Sequence, residues 1–339
     1  DEARPIGLHL LAHQHENERH QVVNEFIGLL MRMYDPGGTN MIVGPRFQHN
    51  VRMAMLTAMS VPGSTLIEVV RALTDQSYVK SVMPQVTDPM VKMYWEKQIA
   101  QTSDFHKSEV LDYIVSKFSR FTGDKRVRNI IGQSNSTVDF RRVMDRRQVL
   151  LVNLSKGKIE PENAQFLGLL MVQQLLLTAL SRADLPATER PDFYLYVDEF
   201  QNFATEMFGT MLSEGRKYGV ALTIANQYLT QLPHPIREAI FGNVGSIISF
   251  RLGTQDATAL APELYPVFNV DDLLNLPRYT ASVKLLVDGL AARPFTMRTV
   301  PDLHAPNPTL ADNIRERSRT VYGRDEQEVT EEVLTRLKV

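Results

Sequence analysis

Apolar positions in the first half of the chain recur at helical spacing. Val22, Val23, Phe26, Ile27, Leu29, Leu30 and Met33 form a broad apolar face, which predicts a helix over 18–34. Asp35-Pro36-Gly37-Gly38 then supplies the turn chemistry to end it. Met53, Met55, Leu56 and Met59 make a second helical face, and Thr65-Leu66-Ile67-Glu68 has the form of a helix start. Thr87-Asp88-Pro89 opens another helix with Pro in its first turn, and that helix carries the only Trp, Trp95. Between about 47 and 122 no apolar–polar alternation occurs, so an all-α subdomain is expected there. Glu162 to Arg182 predicts a long helix. Its apolar core, Phe166 to Leu180, is interrupted by Gln173-Gln174 and reads as a core helix rather than a membrane span.

The second half alternates strand and helix patterns. Gln148 to Asn153 has the composition of a buried strand, followed by the basic loop Ser155-Lys156-Gly157-Lys158. Tyr194 to Val197 is a second such run and ends in Asp198-Glu199. A helix over Glu206 to Tyr218 is closed by Gly219. The strand Val220 to Ala225 follows and ends in Asn226-Gln227. Another strand, Ser246 to Leu252, has Arg251 and Gly253 at its end, before a short helix capped by Thr254-Gln255-Asp256 and one over Asp271 to Leu276. This order predicts an α/β fold with a parallel sheet. Thr280 to Val287 and Pro294 to Val300 read as an antiparallel pair turning at Asp288-Gly289. The segments near 309–322 and 325–337 are polar, helical and tail-like.

The candidate chemistry sits where Tyr194–Val197 stops. Acids at the carboxyl end of a parallel strand lie where open α/β sheets bind ligands. An Asp-Glu pair there has the layout of a Walker B motif. Asp198 would hold Mg2+ through water, and Glu199 would orient or deprotonate the attacking water. The bland alternative is a surface turn that happens to be acidic. Against it, two neighbouring strands deliver acids and then an amide to one sheet edge.

Val-Asp-Glu-Phe at 197–200, Gly-Arg-Lys-Tyr-Gly at 215–219 and Ala-Asn-Gln-Tyr at 225–228 together resemble the type IV secretion coupling ATPases. That is the VirD4/TraG/TraD group within the HerA/FtsK class. Leu150 to Gly157 and Gly242-Asn243-Val244-Gly245 running into Ile247–Arg251 fit the same pattern. The resemblance spans roughly residues 1–305. It implies a RecA-like P-loop NTPase core with a mostly parallel sheet and an inserted all-α subdomain. The expected parts are 1–46 and 126–305 as core, 47–125 as insertion and 306–339 as tail. It further implies ATP and Mg2+ as cofactors, a homo-hexameric ring, and DNA or a relaxase–DNA complex as cargo. Type IV secretion channel components would be partners. The expected location is cytoplasmic, on an inner-membrane-associated bacterial protein whose membrane contact comes only from segments outside this chain. By the same resemblance Gln227 would sense the γ-phosphate, Arg216 would be an arginine finger acting on the neighbouring subunit, and Arg251 would be a second phosphate contact. The plain alternatives are a helix-end charge for Arg216 and a strand-end ion pair for Arg251.

One motif is missing. No Gly-x-x-x-x-Gly-Lys-[Ser/Thr] occurs in the 339 residues. The family order places that loop upstream, so the expectation is a fragment whose isolated chain hydrolyses ATP poorly. The alternatives are a non-hydrolysing cargo-docking adaptor and a DNA-processing motor of the HerA/FtsK type.

Bulk composition adds limits. Net charge is −2, so DNA contact would have to come from a local patch. His106 to Arg147 is the most basic stretch, with Lys117, Arg120, Lys125, Arg126 and Arg128 interleaved with Phe118 and Phe121. A phosphate backbone could be gripped there, and a solvated surface is the alternative. The chain has no cysteine, which excludes disulfides and thiolate metal sites. His9, His13 and His15 cluster without a carboxylate partner motif and read as solvated or capping residues.

Overall fold

The computed structural model describes residues 2–13, 16, 18–35, 42–100, 104–154 and 159–337. The expected turn at Pro36-Gly37-Gly38, His15, and the Lys156 and Lys158 loop lie outside them. The chain forms two compact units: Asp1–Val143 with Val149–Leu175 and Pro308–Val339, and Met144–Gln148 with Leu176–Asn307.

In chain order the first unit holds α1 (Glu18–Tyr34), α2 (Pro45–Ala58), α3 (Leu66–Thr74), α4 (Gln76–Val82), α5 (Pro89–Met93), α6 (Asp104–Gly123) and α7 (Lys125–Ile131). Then come α8 (Phe140–Asp145), whose end enters the second unit, and the first part of α9 (Pro161–Ser181). α1 falls where its apolar spacing placed it, with Val22, Val23, Phe26, Ile27, Leu29 and Leu30 buried. Thr65 caps α3 through a capping box: its hydroxyl accepts from Ile67 N at 3.2 Å and its own N–H donates to Glu68 at 2.6 Å. Asp88 caps the Pro89 helix by accepting from Met90 N. The core is aromatic, with Phe26, Phe118, Phe121 and Phe166 fully buried and Phe121 stacked on Phe166 at 3.8 Å.

α9 is long and apolar enough, by composition, to cross a membrane. It is instead packed in the protein, with Phe166, Leu169, Leu170 and Leu176 buried. One expectation fails nearby. Residues 148–153 form no strand, and Val149 and Leu151 are 86% and 80% exposed. Apolar composition marks strand tendency, but a strand exists only where a neighbour accepts its ladder, and none of the described residues does.

The second unit holds β1 (Phe193–Val197), α10 (Glu206–Glu214), β2 (Val220–Ile224), α11 (His234–Asn243), β3 (Ile247–Ser249), α12 (Thr254–Leu264), α13 (Val270–Leu274), β4 (Thr280–Lys284), β5 (Leu286–Val287), β6 (Leu290–Ala291) and β7 (Phe295–Arg298). β1 and β2 are parallel, with Val197 opposite Ile224. β3 does not extend that pair. It runs antiparallel to β4, which also pairs with β7. Its three residues find a better-fitting partner in Ala281-Ser282-Val283, all buried, and Ser282 donates to Ser249 O. The expected hairpin turn is present, with Asp288 and Gly289 both at positive φ, as a tight two-residue turn requires.

α14 (Pro308–Tyr322) and α15 (Glu326–Leu337) complete the first unit. α14 buries no residue. α15 is no loose tail, because Val329 and Val333 are fully buried against Ile67. Lys125 and Arg336 add ion pairs to Glu326 and Glu332.

The parallel pair is riveted at its amino-terminal edge. Arg182 is fully buried, 3.2 Å from Asp145 and hydrogen-bonded to the carbonyls of Pro191 and Gly219, which precede β1 and β2. Gly219 sits at φ 68, and a Cβ there would meet Pro191 O at 3.2 Å, so this position suits glycine. Arg182→Ala would leave the Pro191 and Gly219 carbonyls without this donor, and a buried acceptor left unpaired costs about 1–3 kcal/mol. Arg182→Ala should therefore lower the urea midpoint of the isolated chain by that equivalent; a midpoint within experimental scatter of the parent would show the rivet to be dispensable.

Candidate functional site

The carboxyl edge of the parallel pair carries a compact polar cluster. β1 delivers Asp198 and Glu199, and β2 delivers Asn226 and Gln227. Register fixes the meeting. Ala225 N donates to Val197 O at 2.9 Å, and Phe200 N donates to Ala225 O at 2.8 Å, so the ladder continues past both strand ends. Continuing that register places Asn226 opposite Glu199, and Gln227, one residue further on, reaches across with its side-chain amide to donate to Glu199 Oε1 at 2.8 Å.

Glu199 is held on all sides. Gln201 donates to its Oε2 at 2.6 Å, and Asn202 donates to its main-chain carbonyl at 3.1 Å. Its own N–H donates to Asp198 Oδ1 at 2.9 Å. Its backbone is left-handed, at φ 50 and ψ 44. A non-glycine residue pays for that conformation, and it persists where surroundings enforce it, commonly at functional sites. The kink turns the carboxylate from the strand direction toward Gln227. Phe200, fully buried and edge-on to Phe208 at 4.8 Å, anchors the turn below.

Asp198 is exposed, and among the described residues only one of its oxygens is engaged, by the Glu199 N–H. A free carboxylate oxygen beside a second carboxylate is a donor set suited to a hard divalent cation that keeps most of its waters. The residues present thus fit Mg2+ held through water, whereas a phosphate-cradling loop is not among the 339 residues.

Arg216 lies at the opposite edge. It is in the 3-10 turn Gly215–Tyr218, before β2, exposed, and its guanidinium has no ion-pair partner among the described residues. Arg251, two residues past β3, is likewise exposed and unpaired among them.

The basic stretch proves to be internally engaged. Lys117 lies over the rings of Tyr34 and Tyr113, and Arg120 pairs with Glu162. Lys125 pairs with Glu326, Arg126 with Glu2 at 2.8 Å, and Arg128 donates to Thr122 O at 2.9 Å. Phe118 and Phe121 are core residues and present no stacking surface. His9 and His13 contact the carbonyls of Ser64 and Leu11, each at 2.8 Å.

The sequence reading missed Gln201, the second amide on Glu199. Its only signal was position, two residues after the acid in a chain that must turn.

No protein-family model and no curated protein sequence matches the chain. Solved structures do. The plasmid coupling protein TrwB in complex with ADP and Mg2+ matches with a TM-score of 0.61 at 12% identity, over 90% of this chain and 74% of that one. The fold is that of the coupling protein TrwB. An unbound monoclinic form, the bacterial conjugative coupling protein TrwBdeltaN70, matches at 0.54, over 86% of this chain and 71% of that one. TrwB with the non-hydrolysable GTP analogue GDPNP matches at 0.55 with the same coverage. The chain is therefore α/β, with a RecA-like NTPase core and a helical part.

Proposed function

We propose that this chain carries the water-activating part of an ATP-driven translocase of the conjugative coupling-protein kind, moving DNA or a relaxase–DNA complex through a ring of six subunits toward a type IV secretion channel. The observation that carries the proposal is the Gln227–Glu199 bond across the carboxyl edge of β1 and β2. TrwB's complexes with ADP and Mg2+ and with GDPNP support ATP and Mg2+ as the cofactors.

Asp198 would hold Mg2+ through water, and the metal would stabilise charge on the transferred phosphoryl group. Glu199 is the base. In the observed geometry each of its oxygens accepts one amide hydrogen bond, which holds the carboxylate in place and lowers its basicity. Swinging the Gln227 amide away raises the basicity of Oε1 toward a water proton, and the freed amide can then donate to a phosphate oxygen. Gln227 makes one contact or the other, which couples nucleotide state to the β2 loop. Arg216 would act on a neighbour's site, and Arg251 would be a second phosphate contact. The parts 1–46 and 126–305 would be motor core, 47–125 a cargo-facing insertion and 306–339 a C-terminal segment. The protein would work on the cytoplasmic side of an inner membrane.

The missing phosphate loop favours a second reading, a cargo-docking adaptor that does not hydrolyse ATP. ATPase assays on the native-length protein, with and without DNA, separate the two. DNA-stimulated turnover is expected. No turnover with cargo binding intact would establish the adaptor. Because the five basic residues of 117–128 are already engaged, changing them to Ala should alter DNA stimulation less than twofold.

A further inference from the structure

Among the described residues Asp256 is the most deeply buried acid of the second unit, 5% exposed, and no step above uses it. It lies in the first turn of α12, where a helix tolerates negative charge. Its Oδ2 accepts from the backbone N–H of Leu229 at 3.3 Å. Its Oδ1 is buried with no hydrogen-bond partner among the described residues. A buried, half-satisfied carboxylate is costly and calls for a reason.

Connectivity supplies one. Leu229 lies two residues after Gln227 and opens the turn Leu229–Gln231. The strand ladder ends at Ala225, whose N–H donates to Val197 O. Across 226–228 no backbone N–H makes a main-chain hydrogen bond among the described residues, so the next mooring of this loop is Leu229 on Asp256. The reach of the Gln227 amide to Glu199 therefore depends on two fixed points, the sheet on one side and Asp256 on the other. Asp256 also begins the helix that follows Arg251 and β3.

We propose that Asp256 is a positioning residue, setting the Gln227 amide on Glu199 by holding the β2 loop through Leu229 N. The catalytic part of this inference rests on the motor reading above. The single bond to Oδ2, with Oδ1 spare, gives the loop a mooring that can shift without breaking. Asp256→Asn keeps an acceptor oxygen and should behave like the parent; Asp256→Ala removes it.

The test has two arms on the native-length protein. In the first, amide hydrogen exchange of 226–231 is measured. Asp256→Ala should speed exchange at Leu229 about tenfold or more, and Asp256→Asn should restore protection. In the second, kcat and KM for ATP are measured in a cycle with Gln227→Ala. Misplacing a reacting group by an ångström costs up to about a hundredfold, so Asp256→Ala should lower kcat at least tenfold with KM within twofold. It should have no further effect once Gln227 is Ala. Unchanged exchange, or a kcat loss that adds fully to that of Gln227→Ala, overturns the proposal. If the parent shows no turnover, the motor reading fails, and the exchange arm alone still decides whether Asp256 moors the loop.

Discussion

Glu199→Gln should abolish DNA-stimulated ATP hydrolysis by the native-length protein, lowering kcat by about 10²–10⁴-fold, the usual contribution of a positioned general base. The substitution is nearly isosteric and keeps the left-handed backbone at φ 50 already enforced by its neighbours. One side-chain oxygen still accepts from Gln201 or Gln227, so the turn and the fold should survive. What is lost is the charge and the ability to take a proton. Nucleotide affinity, read by a fluorescent ATP analogue, should change less than threefold, because Asp198 stays in place. A variant retaining more than a tenth of the parental rate would remove Glu199 as base and leave it a strut of the β1–β2 edge. Loss of binding together with rate would instead mean that its charge was needed to hold the metal.

The legible parts of this site were those that obey local rules. A β-branched and aromatic run stopping at two acids, and a second stopping at an amide, can be read from composition alone. Parallel pairing of adjacent crossover-linked strands then brings Glu199 and Gln227 to one sheet edge, within side-chain reach of each other. Helices α1 and α3 were equally plain, through apolar spacing at 22–30 and the Thr65–Glu68 capping box; the helix expected over 206–218 is α10 to Glu214 followed by a 3-10 turn, which Gly219 closes. Pairing partners were less legible. Ile247–Ser249 reads as strand in any window, yet nothing local says that it will choose β4 over β2. The stretch 148–153 has strand composition and lacks a neighbour to pair with.

Charge was the least legible quantity. Lys117, Arg120, Lys125, Arg126 and Arg128 form a basic run in sequence, but Arg120, Lys125 and Arg126 find counter-charges far away along the chain, at Glu162, Glu326 and Glu2, while Lys117 lies on tyrosine rings and Arg128 on a carbonyl. A window of sequence counts the cations and cannot see the carboxylates that fold against them. Polar character misled for α15 in the same way. Two valines among acids suffice to dock it, because they recur one helical turn apart and face Ile67.

Arg216→Ala should lower DNA-stimulated kcat by about 10³-fold, the low end for an arginine finger, while leaving the fold and nucleotide binding of each subunit intact. Geometry makes the claim a strict one. Arg216 precedes β2 and Glu199 follows β1, so at about 3.3 Å per residue a whole strand, roughly 15 Å, separates them. No arginine side chain spans that within one subunit. Arg216 can therefore contribute to hydrolysis only at a neighbour's site, and its exposure without an ion-pair partner among the described residues leaves it free to do so. The bland role, a cation at the end of the α10 turn, is worth under about 1 kcal/mol of stability and nothing in rate. Mixing distinguishes them. Subunits carrying Arg216→Ala but an intact Glu199, combined with subunits carrying Glu199→Gln but an intact Arg216, should regain activity, because each junction that pairs a good base with a good finger is competent. A mixture as dead as its parents would confine both residues to one subunit's own site, which the strand length forbids, and the finger assignment would fall. Arg216→Lys should not rescue, since a point charge lacks the planar fork that spans two phosphate oxygens.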